Sequence, residues 1–361
     1  ASRKLGDLLL LNRRVQDARE CFRDCLEHWP GQPDALLGLA RCEQELGSLD
    51  EAQRCLDAVL KQDLTQRQRA LALSEKGKLQ LREEQVEQGI ESLVRAVELS
   101  PAEVSTRFAL QKALFAAGRE DEANRESEGL AETQRELDRI SKITAQVVDA
   151  PADADLMCEA AYLLARLGYT KESGGWLACA LRVDPNHAKA IQVARASSSV
   201  QNGVEAVRRN DWDAVRTAAW NLRAVDGYER HLALLKGILL KRDGRFSEAL
   251  ALLGHARRHP DTVAMAYRHS GEILYQTKQF GPAQRILSAA LTLDPDATDA
   301  RRFLAATYFD TGAMDDAVKE LETIVQQTPD DSRPHRLLAM IYKDYENYAE
   351  AIEEYQISLE L

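Results

Sequence analysis

The sequence predicts an all-α, right-handed solenoid of about ten helical hairpins. Three observations predict it: a small residue that recurs close to every 34 positions, a second small residue twelve positions earlier, and a large apolar residue four positions later. Ala18, Ala52, Gly89, Ala123, Ser173, Ala214, Ala249, Ala283, Ala317 and Ala351 form the first series, with gaps of 34, 37, 34, 50, 41, 35, 34, 34 and 34. Twelve residues before nine of these stand Gly6, Ala40, Gly77, Gln111, Ala161, Gly237, Gly271, Ala305 and Ala339, and only Gln111 is not small. Four residues after them come Phe22, Leu56, Leu93, Leu177, Leu253, Leu287, Leu321 and Tyr355, while Ser127 and Ala218 break the pattern. Two helices approach closely only where both carry small side chains, and a large residue one turn further on fills the next hole. Such hairpins bury their apolar faces only by stacking on neighbours.

The elements follow in order along the chain. Gly47, Gly118, Gly168, Gly244 and Gly312 stand five residues before their markers, where a tight turn separates the two helices of a hairpin. Pro30, Pro101, Pro185, Pro260, Pro295 and Pro329 close units where the next helix starts. Residues 1–150 read as an N-terminal array of about four repeats. From Arg119 to Val148 there is no Gly or Pro except Gly129, and Leu130, Leu137, Ile140, Ile143 and Val147 recur at helical spacing. One overlong second helix is expected there, with a two-helix insertion as the other reading. Residues 151–199 read as a linking segment that restarts at Pro151. Between Ala196 and Gly203, Ser197, Ser198, Ser199, Asn202 and Gly203 cluster, which marks either a boundary between two arrays or a degenerate repeat. Residues 200–361 read as a C-terminal array of about five repeats, the first degenerate around Trp212 and Trp220 and the last truncated. The opening inside a helix and the stop at Leu361 suggest a segment of a longer chain, or ends that pack on a partner.

Composition narrows the function. A chain of 361 residues is too long for one ordinary core. Hydrophobic residues at 45% and charged residues at 29% exclude wholesale disorder, and aromatics at 6% suit an Ala- and Leu-rich helical protein. The formal net charge of -11 disfavours nucleic acid and anionic lipid as partners. No apolar run reaches the roughly 18 residues of a membrane span. Six scattered cysteines argue against a disulfide scaffold, so a reducing, cytoplasmic location is expected.

The unit from Ala300 to Pro329, with Leu304, Ala305, Tyr308, Gly312, Ala317, Leu321 and Pro329, resembles the tetratricopeptide repeat family. The unit from Ala266 to Pro295, with Gly271, Ala283, Leu287 and Ala290, is similar to it as well, and the register covers nearly the whole chain. The resemblance implies a protein-interaction scaffold or adaptor whose first helices line a concave groove that holds partner segments. Positions counted from the first-helix small residue select the inward candidates. Three before it are Phe108, Arg268, Arg302 and Arg336; one after it are Arg41, Lys78 and Lys112; four after it are Phe115, Tyr275 and Phe309. Basic ladders beside aromatic rings suit an acidic extended peptide, and a merely solvated charged face is the other reading. Family members that clamp a chaperone's C-terminal carboxylate use paired Asn side chains, which these positions lack. Self-association through the array ends, or service as a regulatory or targeting segment of a larger enzyme, are the rival functions.

No glycine-rich phosphate loop, zinc-protease motif or nucleophile elbow occurs, so no catalytic residue and no cofactor is assigned. His255 and His259 stand four apart, as zinc ligands on one helix can, but Ala256, Arg257 and Arg258 between them offer no carboxylate or thiolate. They read as a solvated helix end, and no metal site is assigned. Cys21 and Cys25 are one helical turn apart, and Cys25 shares the register of Ala96, Ala256 and Ala290, which makes it a small buried residue. Trp212 and Trp220 read as core, with a small-ligand pocket as the less favoured role.

Overall fold

The computed structural model describes residues 2–361, which form twenty α-helices and no strand. The helices pair into ten hairpins. The first five are α1 (Ser2–Leu11) with α2 (Val15–His28), α3 (Pro33–Glu45) with α4 (Leu49–Leu60), α5 (Gln66–Arg82) with α6 (Val86–Leu99), α7 (Val104–Ala116) with α8 (Glu120–Asp149), and α9 (Ala154–Arg166) with α10 (Thr170–Val183). The second five are α11 (Ala188–Arg208) with α12 (Trp212–Leu222), α13 (Glu229–Arg242) with α14 (Phe246–Ala256), α15 (Val263–Gln276) with α16 (Phe280–Leu293), α17 (Thr298–Thr311) with α18 (Met314–Gln327), and α19 (Ser332–Asp344) with α20 (Tyr348–Glu360). Contacts divide the chain into two compact units, Ala1–Ala194 and Arg195–Leu361. The serine cluster from Ser197 to Ser199, with Asn202 and Gly203, is helical and lies within α11.

Helix starts owe little to side-chain caps. Thr65 makes a capping box with Gln68, and Asp153, Asp211 and Asp331 accept backbone N–H groups. Most other starts lack a side-chain cap, so these short helices depend on packing against neighbours. The hairpin turns share one conformation. Gly47, Gly118, Gly168, Gly244 and Gly312 have φ between 73 and 84°, and the same place in the other five hairpins is held at positive φ by Arg13, Glu84, Asn210, Lys278 and Glu346. A side chain in this left-handed region costs roughly 1–2 kcal/mol, part of which glycine returns as lost chain entropy. Lys278→Gly is therefore expected to raise the stability of the second unit by up to about 1 kcal/mol, measured by urea denaturation.

The turn residues correct one register. Asn210 stands five residues before Val215, which is fully buried, whereas Ala214 is only half-buried. Twelve residues before Val215 stands Gly203, where a Cβ atom would come within 2.8 Å of Leu235 and 2.9 Å of Ala218. The second unit thus keeps one 34-residue spacing throughout, from Gly203 through Gly237, Gly271 and Ala305 to Ala339, and from Val215 through Ala249, Ala283 and Ala317 to Ala351. The hairpin around Trp212 keeps the turn conformation and register of its neighbours, and departs from them in side-chain size and in its 21-residue first helix. Trp220 is exposed and stacks under Arg223, so it is not core.

The small residues are where helices touch. Added Cβ atoms at Gly77, Gly237 and Gly271 would meet Leu93, Leu253 and Leu287, each the large residue of the same hairpin's second helix. First helices also contact one another, α1 with α3, α3 with α5 and α5 with α7 in the first unit, and α13 with α15 and α15 with α17 in the second. Among the described residues second helices make no comparable contacts with each other, so each unit bends with its first helices on the inner side. The 30-residue α8 is the longest helix among the described residues. Its later half supports α9 through Ile143, packed with Ala160 and Leu163, and through Arg139, whose guanidinium donates two bonds to Glu159.

Candidate partner-binding site

The inward positions fall into three groups, which differ in how their cations are paired. In the first group, Arg41 on α3 and Lys78 on α5 converge on one carboxylate. Arg41 Nε donates to Glu75 Oε1 at 2.9 Å, and Lys78 Nζ donates to the same oxygen at 3.0 Å. Glu75 is buried, so two cations are needed to offset its desolvation. These cations support the stack of first helices and are already engaged.

The second group lies on α15, α17 and α19, and its α15 and α17 cations are paired in the same way. Asp299 accepts from Arg268 at 3.1 Å and from Arg302 at 2.8 Å. Arg268 also reaches His269, which is buried among Lys241 and Glu272. Tyr275 packs against Phe303 and Phe280, and its hydroxyl is pushed up to about 12 by burial and by a bond to Asp310. Phe309 packs on the core of the α17 to α19 hairpins. Arg336 is exposed and has no ion-pair partner among the described residues. Beside Arg268 a cleft of about 870 Å³ opens, lined by Asp294, Asp296, Asp299, Asp330 and Asp331 against Arg208, Arg268 and Arg333. With five carboxylates to three guanidinium groups, its net charge is negative, which opposes the entry of an acidic segment.

The third group stands apart. On α7, Phe108 and Phe115 are 51% and 46% exposed, and Lys112 lies between them, its ammonium 5.9 Å from the Phe108 ring centre. No carboxylate pairs with Lys112 among the described residues. The spacing places all three on one helix face one turn apart, where they offer two aromatic surfaces and an uncommitted cation.

The buried network of the second unit carries a pH dependence. Burial, with the nearby Arg268 and Lys241 cations, holds His269 down at about 4 against its usual 6.5. Burial pushes Glu272 up, but bonds from His269 and Lys241 outweigh it and hold the carboxylate at about 2. Both folded values lie below the unfolded ones, so the unfolded chain takes up protons first as pH falls. Stability is expected to drop by on the order of 2 kcal/mol between pH 6.5 and 4 through His269, and to drop further towards pH 2 through Glu272. Denaturation midpoints across this range should show a shallower slope for His269→Asn than for the wild-type chain.

Other side chains singled out in the sequence take definite places. The six cysteines are free thiols. Cys25 is buried and donates to Gln32, and burial drives Cys42 and Cys55 up to about 12 and 11, which leaves them unreactive. His255 is exposed on α14, but His259 lies beyond that helix's last residue, Ala256, and is buried, so the expected solvated pair does not exist. No described helix is long and apolar enough to cross a membrane. The carboxylates that neutralise the ladders each join two helices: Glu75 and Asp299 pair with Lys78 and Arg302 three residues away on their own helix, and with Arg41 and Arg268 about one repeat away.

Two segments of the chain, residues 9–76 and 274–341, match the family model described as tetratricopeptide repeat. Among solved structures, the chain is similar to the crystal structure of MamA, at 23% identity over 44% of this chain and 92% of that one, with a TM-score of 0.38. It is also similar to MamA 41-end from Desulfovibrio magneticus RS-1, at 18% identity over 46% of this chain and 94% of that one, with a TM-score of 0.39. No curated protein matches the sequence.

Proposed function

We propose that this chain, whose two units each carry tetratricopeptide repeats, is a protein-interaction scaffold that takes an extended, carboxylate-bearing partner segment on the α7 face. One observation carries the reading: Lys112 is a cation without an ion partner, set between two half-exposed phenylalanines on a first helix. A partner carboxylate would gain a charge-assisted bond there, and an adjacent apolar side chain would cover ring surface now in water. Arg268 and Arg302 would first have to leave Asp299, so they contribute less. Nothing in this reading requires a catalytic group.

Phage-displayed peptides selected on the purified chain test it. Enriched sequences are expected to pair Asp, Glu or a free C-terminus with a neighbouring apolar residue. Lys112→Glu should weaken the selected peptide about tenfold and flatten its salt dependence, while Arg268→Ala should change it little. Equal affinity for wild type and Lys112→Glu, by calorimetry, would remove α7 as the site.

Self-association is a second reading, favoured by α20. Tyr348, Ile352, Tyr355 and Leu359 are exposed there at three- and four-residue intervals, which makes one apolar stripe. Sedimentation across a concentration series decides it: a monomer at every concentration dismisses this reading, and a dimer that Ile352→Lys dissolves supports it.

A further inference from the structure

We propose that His231, His259 and Asp261 form a site for one divalent transition-metal ion, with zinc the best match to two imidazoles and a carboxylate. His231 lies in the first turn of α13, and His259 and Asp261 lie in the loop between α14 and α15. One ligand atom of each residue comes within 4.8 Å of the other two. The imidazole rings meet edge to face with centroids 4.4 Å apart, and both are buried, His231 at 6% exposure and His259 at 1%.

The geometry around His231 points to an ion. Its Nε2 stands 3.7 Å from Asp261 Oδ2, too far for a hydrogen bond. Two donors placed tetrahedrally at about 2.1 Å from one zinc ion lie about 3.4 Å apart, close to that separation. The other ring nitrogen, Nδ1, is buried and has no hydrogen-bond partner. This imidazole therefore makes no hydrogen bond among the described residues, a costly state for a buried polar ring. An ion bound at Nε2 would give this ring the partner that nitrogen lacks, with the ring proton on Nδ1.

His259 and Asp261 complete the set. His259 Nδ1 accepts the backbone N–H of Asp261 at 3.2 Å, with Nε2 as the proposed ligand atom. When Nε2 binds the ion, the ring's single proton sits on Nδ1 instead, and the bond from the Asp261 N–H is released. The three ligand atoms lie within 4.8 Å of one another, so closure to tetrahedral spacing shortens the widest separation by at most about 1.4 Å. Asp261 reaches solvent, which gives the ion an entry path and a water as fourth ligand. Bound there, the ion would pin the start of α13 to the α14–α15 turn and so tie two consecutive hairpins together.

Calorimetric titration of the metal-stripped full chain with zinc chloride tests the site, and cobalt(II) absorption reports its geometry. One ion per chain and a tetrahedral cobalt spectrum are expected. Asp261→Asn, at a solvent-reaching position and checked for unchanged helicity, should weaken zinc by about tenfold or more. His231→Gln and His259→Gln should abolish binding, and His255→Ala should leave it unchanged. The proposal is overturned if the wild-type chain binds no zinc, if Asp261→Asn binds as tightly as wild type, or if His255→Ala removes the binding.

Discussion

Phe22→Ala is expected to cost about 3–5 kcal/mol and to lower the denaturation midpoint of the first unit more than any single surface change. Phe22 is fully buried on α2, and its ring lies where a Cβ at Gly6 on α1 or at Gly38 on α3 would sit. One side chain therefore fills the gap between two first helices, and removing it leaves a cavity that neither glycine can occupy. The loss is large because stability in a stacked array is a sum of neighbour interfaces, and this ring serves two of them. Urea denaturation followed by helical circular dichroism measures it. A loss under about 1 kcal/mol would mean that the α1–α2 hairpin is not held by this contact.

Much of this packing was legible in the sequence, because close helix contacts demand small residues at fixed separations. Gly6, Gly77, Gly237 and Gly271 were placed as contacts by counting alone, and each would clash if it carried a Cβ. The turn glycines were legible for a related reason, since a left-handed backbone favours glycine. Arg13, Glu84 and Lys278 occupy that same turn conformation without advertising it, because the neighbouring helices impose the angle whatever the residue.

Counting failed at the hairpin around Trp212 for a physical reason. What a helix crossing limits is the combined size of the facing pair. Gly203 and Val215 together have about the volume of Ala305 and Ala317, the pair at the same register positions. Ala214, the small residue nearest the expected position, stands one residue from Val215 and so about 100° round the helix from the buried face. Counting 34 back from Gly237 and Ala249 would have found both residues.

The candidate site was less legible than the fold. Residue type and register placed the cations, and the partners of Lys78 and Arg302 stand three residues away on the same helix, but the partners of Arg41 and Arg268 lie about a repeat away. Arg41 and Glu75 are 34 residues apart, and Arg268 and Asp299 are 31 apart. Lys112 and Arg336 differ from these in having no carboxylate partner among the described residues, and for Lys112 the absence of a distant one shows only in the folded chain. His231 and His259 meet only because consecutive hairpins stack, so a search for ligands at one-turn spacing paired His259 with His255 instead.

The register of the second unit carries everything placed upon it, including which first-helix positions face inward. Its most direct test is a pair of variants at adjacent residues, Gly203→Leu and Asn202→Leu, compared by urea denaturation. Gly203 is buried against Leu235 and Ala218, so leucine there is expected to cost about 3 kcal/mol by overpacking. Asn202 is exposed, so leucine there should change stability by less than about 0.5 kcal/mol. The opposite order, with Asn202→Leu the damaging change and Gly203→Leu tolerated, would contradict the 34-residue register and the inner face derived from it.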